Sequence, residues 1–265
     1  MITKKFLQDD LLRSVDLGYP IDISKVFKYL TSHEAENLFW YKDISVLSHI
    51  ANVVYFANII AEKIKGNGII VDRKKVILYG WLRDIGRVSW GLAQECKYSE
   101  LMHKYGHHGY LGYCLLKKSN VNDDLAKITM THIGSGITAA EADEINTILK
   151  KDVFPVRDWY AKTVEEMIVV IADKIPGWNN TIIKPWKTNQ MQDISGISIN
   201  ERSGNKIYSW LPNQTPLWNR FWDFKKKVDN ACECDCLTLF DKGLFDSDPE
   251  SFYRLPSPEI IAQIV

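Results

Sequence analysis

The chain has 265 residues, 33 basic and 33 acidic side chains, no formal net charge and 46% apolar residues. That length can bury a full core, and that balance belongs to a globular protein. The neutral charge argues against a broad nucleic-acid surface, which would need a basic excess, but is compatible with small phosphorylated ligands. No apolar run approaches the roughly 20 residues that cross a bilayer. The N-terminal stretch MITKKFLQDDLLRSVD has no hydrophobic segment of the secretory kind, so no membrane partner and a cytoplasmic location are expected.

Residues 1–42 read as an N-terminal helical extension, with a turn at Pro20–Ser24 and weak amphipathicity over Lys25–Trp40. The strongest helix is expected over 43–66, where Val46, Ile50, Val53, Val54, Ala57, Ile60 and Ala61 recur near helical spacing. Gly66-Asn-Gly68 ends it, and Asp72 suits the N-cap of a second helix over 73–84, stopped by Gly86. Residues 88–105 form a polar, aromatic loop long enough to suggest a role in a site. Further helices are expected over 107–118 and 124–132, the second capped by Asn122 or Asp123. Thr138 with Glu141, and Thr163 with Glu166, have capping-box spacing and open two more.

After Pro176 the helical periodicity fades and Asn, Pro, Ser and Trp accumulate. Residues 177–265 read as a mixed, Trp-rich extension with a β-hairpin over 197–210 and a short helix over Trp218–Val228. This extension could be a lid, a dimer surface or a packed appendage. Its tryptophans 178, 186, 210, 218 and 222 could stack a base, although tryptophan more often anchors cores and interfaces. Cys232, Cys234 and Cys236 alternate too closely for an ordinary zinc knuckle and have no second knuckle, so they read as a local structural or a fortuitous cluster.

Within the helical part, polar groups able to hold a metal are spread over several segments. His49 lies on the strongest helix, where a lone histidine is usually a satisfied core residue. Asp84 sits at a helix end, the pole that disfavours a carboxylate. His132 ends a helix, where it could simply complement the dipole. Asp173, inside the apolar run Ile168–Ile175, needs a partner to offset its burial. Together they supply imidazoles and carboxylates from at least four helices, a set suited to divalent metals. Arg87, Lys104 and His107, with Lys97 and His103, could form a phosphate-recognition edge or an ordinary polar loop. Gly134-Ser-Gly136 could offer backbone N–H groups to an anion.

These segments resemble, in order and wording, the HD-domain metal-dependent phosphohydrolases, and within them the HDIG-type subfamily. The resemblance rests on His49, Arg83-Asp-Ile-Gly-Arg87, His108 ahead of Gly112, His132-Ile-Gly-Ser-Gly-Ile-Thr138 and Ala172-Asp-Lys174. It covers residues 43–176 and implies an all-α helical bundle around a metal site. By the resemblance, His49, Asp84 and Asp173 are primary ligands of a divalent ion (Mn, Fe, Ni, Zn or Mg). His108 and His132 belong to a second metal or the phosphate, and Asp84 orients an attacking water. The implied partner is a nucleotide or another small phosphate ester, and a homo-oligomer is open.

The chain departs from the pattern at Arg83, where the family has a metal-binding histidine. Arginine keeps its proton and offers no lone pair. Two outcomes are physical. Arg83 turns aside and leaves a depleted metal site, or its guanidinium takes the metal's space, pairs with Asp84 and Asp173, and meets a phosphate with its fork. The first gives a weakened hydrolase. The second gives a catalytically inactive protein that binds a nucleotide or a partner protein. A further alternative is a structural subunit using the aromatic C-terminal region.

Overall fold

The computed structural model describes residues 39–41, 44–86, 108–118, 120–131, 135–150, 152, 154–174 and 215–239. Within them the chain is all-α apart from a minimal antiparallel ladder, β1 (Phe39–Tyr41) and β2 (Ile44–Ser45), pairing Phe39 with Ser45 and Tyr41 with Ile44. The end of the expected helical N-terminal extension is therefore a strand, as three consecutive aromatics favour.

The helices start where the sequence supplies caps. Helix α1 (Val46–Gly66) ends at the Gly66-Asn-Gly68 turn, and Gly68 takes the left-handed region with φ +81°. Asp72 caps α2 (Arg73–Leu82) by accepting from the Lys75 N–H at 3.1 Å. Helix α3 covers His108–Lys118. Asn122, not Asp123, is the next N-cap, and its side chain accepts from the Asp124 N–H at 2.8 Å.

The single helix expected over 124–132 divides into α4 (Asp123–Ala126) and α5 (Ile128–Thr131), with Lys127 between them. The hydroxyls of Thr129 and Thr131 donate to the carbonyls of Ala126 and Ile128 at 3.0 and 2.9 Å. Such back-bonding competes with a regular helix. Both expected capping boxes are formed. Thr138 and Glu141 open α6 (Ala139–Leu149). Thr163 and Glu166 exchange bonds of 3.0 and 3.3 Å at the start of α7 (Val164–Lys174).

The core gathers on α1, α2 and α7. Helix α1 buries Ile50, Val53, Ala57, Ile60, Ala61 and Ile64, the stripe that its spacing announces. Helix α7 buries every residue from Glu166 to Asp173, and it packs on α1, α2, α5 and a later helix, α8 (Thr215–Cys232). A helix apolar all round belongs in the middle of a bundle. Each buried large side chain contributes about 1.5–3 kcal/mol.

The C-terminal region departs from expectation. Helix α8 is 18 residues long, not the short helix expected over Trp218–Val228. It buries Phe221, Phe224, Val228 and Cys232 in the same core cluster as α1 and α7. A 3-10 turn, Cys236–Leu239, comes next, and the Asn67 amide donates to the Ala231 carbonyl at 3.0 Å. The second half of the chain thus completes the first half's core. The expected β-hairpin over 197–210 lies outside the described residues.

Candidate functional site

Asp84 and Asp173 come from different parts of the chain and meet at one cation. Arg83 is the C-cap of α2, in helical conformation, and its N–H donates to the Tyr79 carbonyl at 3.1 Å. Its guanidinium turns inward. One nitrogen, Nη2, donates both to Asp84 Oδ2 and to Asp173 Oδ1. The other oxygen of Asp84 lies 3.4 Å from His108 Nε2. Asp173 reaches the same point from the next-to-last position of α7.

A close backbone approach holds His108 there. A Cβ on Gly86 would sit 1.8 Å from the His108 carbonyl oxygen and 2.6 Å from the Gly112 nitrogen. Only a residue without a side chain lets the segment after Asp84 lie against the first turn of α3. The glycine two residues after Asp84 is thus a packing requirement that brings the imidazole to the carboxylate.

The centre is closed and charged. Arg83 is 1% exposed, Asp84 0%, His108 5% and Asp173 8%. One guanidinium faces two carboxylates, so with His108 neutral these groups carry one net negative charge. Burying carboxylates costs several kcal/mol each unless a cation and hydrogen bonds compensate. Arg83 supplies that compensation from within the chain.

The divalent metal implied by the resemblance does not fit this arrangement. Its place between Asp84 and Asp173 is taken by an Nη2 bonded to both, and a guanidinium in that position repels a second cation. In this structure Arg83 pairs with both carboxylates.

Residues 46–176 match the family model described as HD domain. The chain belongs to the HD-domain superfamily. It is 27% identical over 170 residues to the tRNA (cytidine(56)-2'-O)-methyltransferase of Picrophilus torridus, a match covering 62% of this chain and 41% of that protein. It is 33% identical over 132 residues to an uncharacterized protein of Methanocaldococcus jannaschii, covering 49% of this chain and 66% of that one. The chain therefore spans less than two thirds of either relative. No solved structure matches it significantly.

Of the residues singled out in the HD domain, the structure brings together Arg83, Asp84, His108 and Asp173. His49 lies on α1, near its start. His132, Arg87, Lys104 and His107 lie outside the described residues, as do Lys97 and His103.

The cysteine cluster beyond the HD domain also has an internal cation. Asp229, Asp235 and Cys236 converge within 4.8 Å of one another, a grouping that could hold a metal. Lys225 reaches into it, with Nζ 2.6 Å from Asp229 and 2.8 Å from Asp235. Asp229 also accepts from the Cys236 N–H at 2.9 Å. Burial pushes the Cys232 thiol up to about 12 and raises the Cys236 thiol as well. The cluster lies at the end of α8.

Sequence reasoning missed Arg220 and Lys225, which carry the polar contacts of α8. The signal was available: Phe221, Phe224, Val228 and Cys232 recur at helical spacing, which puts Arg220 and Lys225 at the edges of a buried stripe.

Proposed function

We propose that this chain is a metal-free, non-hydrolytic HD domain that works by binding a macromolecular partner. The observation that carries this reading is the single Arg83 nitrogen bonded to both Asp84 and Asp173. In an HD hydrolase the corresponding carboxylates hold a metal that activates water and neutralises phosphoryl oxygens. Here they are paired with a side chain that offers no lone pair and cannot activate water.

The pairing of Arg83 is our reason for preferring a macromolecular partner to a nucleotide. Arg83 already faces two carboxylates, and the net charge of the four groups is negative with His108 neutral. Nη2 of Arg83 is engaged by these two carboxylates, which speaks against its serving as the anchor of a phosphate. The Picrophilus torridus relative, named a tRNA methyltransferase, has the matching stretch as 41% of its length. That supports reading the domain as a module carried beside another activity.

A second reading, the metal-dependent phosphohydrolase, is favoured by one observation. Asp84, Asp173 and His108 still converge, and His108 Nε2 stands 3.4 Å from Asp84. Hydrolysis of nucleotides, phosphomonoesters and phosphodiesters, assayed with manganese, nickel, zinc or magnesium, separates the two. The expected result is no turnover above the metal blank for the wild-type chain. Turnover that disappears in Asp84→Ala would overturn the non-hydrolytic reading in favour of the hydrolase.

A further inference from the structure

Among the described residues, the exposed large apolar side chains are Ile69, Ile70, Ile148 and Val156. Singly scattered apolar residues are ordinary on a surface. These four instead fall into two corners of opposite charge.

The first corner is the turn between α1 and α2. Ile70 is 95% exposed, and Ile69 beside it is exposed too. The turn is held fast. The Gly68 N–H donates to the Lys65 carbonyl at 3.0 Å, the Asn67 amide to the Ala231 carbonyl at 3.0 Å, and the Asp72 N–H to Glu165 at 3.1 Å. A fixed backbone thus presents Ile70, which lowers the entropy lost on binding. The surrounding charge is mainly positive. Helix α1 ends with Lys63 and Lys65, and α2 opens with Arg73, Lys74 and Lys75 and no acidic residue in its first turn. Cations at a helix N-terminus oppose its dipole, so α2 gains nothing from them. Lys65 and Lys74 are exposed and have no ion-pair partner among the described residues.

The second corner lies where α6 ends. The Asn146 side chain pairs with the Phe154 backbone at 2.7 and 3.0 Å, and Ile148 and Val156 each stand two residues beyond that pairing. The exposed charge here is mainly negative, with Asp143, Glu144 and Asp152 against Lys150. Glu144 precedes Ile148 by one helical turn and shares its face. None of these three carboxylates has an ion-pair partner among the described residues. The two corners are tied to opposite ends of α8. Asn67 meets Ala231 near its end, while Arg220 near its start donates to Glu141 in the first turn of α6 at 2.9 Å. Those two anchors are about 16 Å apart along the helix.

We propose that the two corners are the halves of one head-to-tail interface between copies of this chain. Ile69 and Ile70 of one copy seat against Ile148 and Val156 of the next, and Lys65 and Lys74 face Asp143, Glu144 and Asp152. Such an interface joins unlike surfaces, so each copy keeps one half free and the assembly closes into a ring or extends. The inference stands apart from the reading of the HD centre, since self-association requires neither hydrolysis nor its loss.

The test is sedimentation velocity of the full chain over a range of concentrations. The wild-type chain is expected to gain mass as concentration rises. Ile70→Asp and Ile148→Asp each remove one half of the interface at an exposed position, and circular dichroism checks that both fold. Each alone should associate about tenfold more weakly than the wild type, or worse. Mixed in equal amounts they should form a dimer and nothing larger, because each retains the half that the other lacks. Lys65→Glu together with Lys74→Glu should weaken association as Ile70→Asp does. Val156→Asp takes the place of Ile148→Asp should that variant not fold. A wild-type chain that stays monomeric up to about 1 mM overturns the proposal and leaves the corners to a different partner. Variants that associate like the wild type overturn it as well. So does an equal mixture that forms no dimer, which would mean that any association joins like surfaces.

Discussion

Arg83 is one residue with two consequences. It stands where the family resemblance implies a metal-binding histidine, and its guanidinium pairs with two buried carboxylates. Removing one partner of a buried ion pair typically costs about 3–5 kcal/mol, because the remaining charge is left in a poor solvent. Arg83→Met is therefore expected to lose stability on that order in denaturant unfolding. Adding a divalent cation should recover part of the loss, since the two carboxylates would then have a new partner. A loss below about 1 kcal/mol, the size of an exposed pair, would contradict the role given to Arg83.

Gly86 is the second residue on which the site turns. An added methyl meets backbone atoms at 1.8 and 2.6 Å, and backbone cannot swing aside as a side-chain tip can. Gly86→Ala should destabilise the chain by about 3 kcal/mol, at the upper end of overpacking effects. It should also displace His108 from Asp84, which a change in the His108 imidazole resonance would report. A stable variant with an unmoved resonance would show that the helices do not meet as closely as described.

At the scale of elements, the caps are where local sequence and structure agree best. Asp72, Asn122, Thr138–Glu141 and Thr163–Glu166 all satisfy helix N-termini as their spacing announces. A cap is a bond between residues two or three apart, so it is legible without knowing the fold. The break at Lys127 was not legible, because it depends on which carbonyls Thr129 and Thr131 choose, and Lys127 itself then reaches Glu166 on a distant helix at 3.3 Å. Helix α8 was obscured differently. Its apolar stripe is regular, but the surrounding Asn-, Pro- and Trp-rich composition masked it, and its burial depends on a groove built by α1 and α7. The site divides the same way. Asp84, Asp173 and His108 could be nominated from residue types and resemblance, whereas the side to which Arg83 turns is set by where α7 places Asp173.

Helix α6 allows a test of acid sensitivity. Asp158 is held below the usual carboxylate range, first by the Ala139 N–H that it accepts at 3.1 Å. A folded-state value below the unfolded one stabilises the fold above the ordinary carboxylate value of about 4, and this stability is lost as pH falls through the folded value. Asp158 is partly exposed, so the effect is small. Stability measured from pH 5 downward should fall slightly less steeply in Asp158→Asn than in the wild type. Identical slopes would remove Asp158 from the acid response of this cap.

At the scale of the whole molecule, two clusters of carboxylates among the described residues each hold a cation of the chain itself. Arg83 sits between Asp84 and Asp173, and Lys225 between Asp229 and Asp235. In the HD bundle α8 packs into the core, and Arg83, Asp84 and Asp173 form a buried ion-pair cluster. Calorimetric titration of the purified chain with manganese, nickel and zinc, beside Arg83→His, tests this most directly. The account predicts no stoichiometric binding at the HD centre of the wild-type chain, and binding in Arg83→His that Asp173→Ala abolishes. One equivalent of metal bound by the wild-type chain and lost in Asp173→Ala would contradict it.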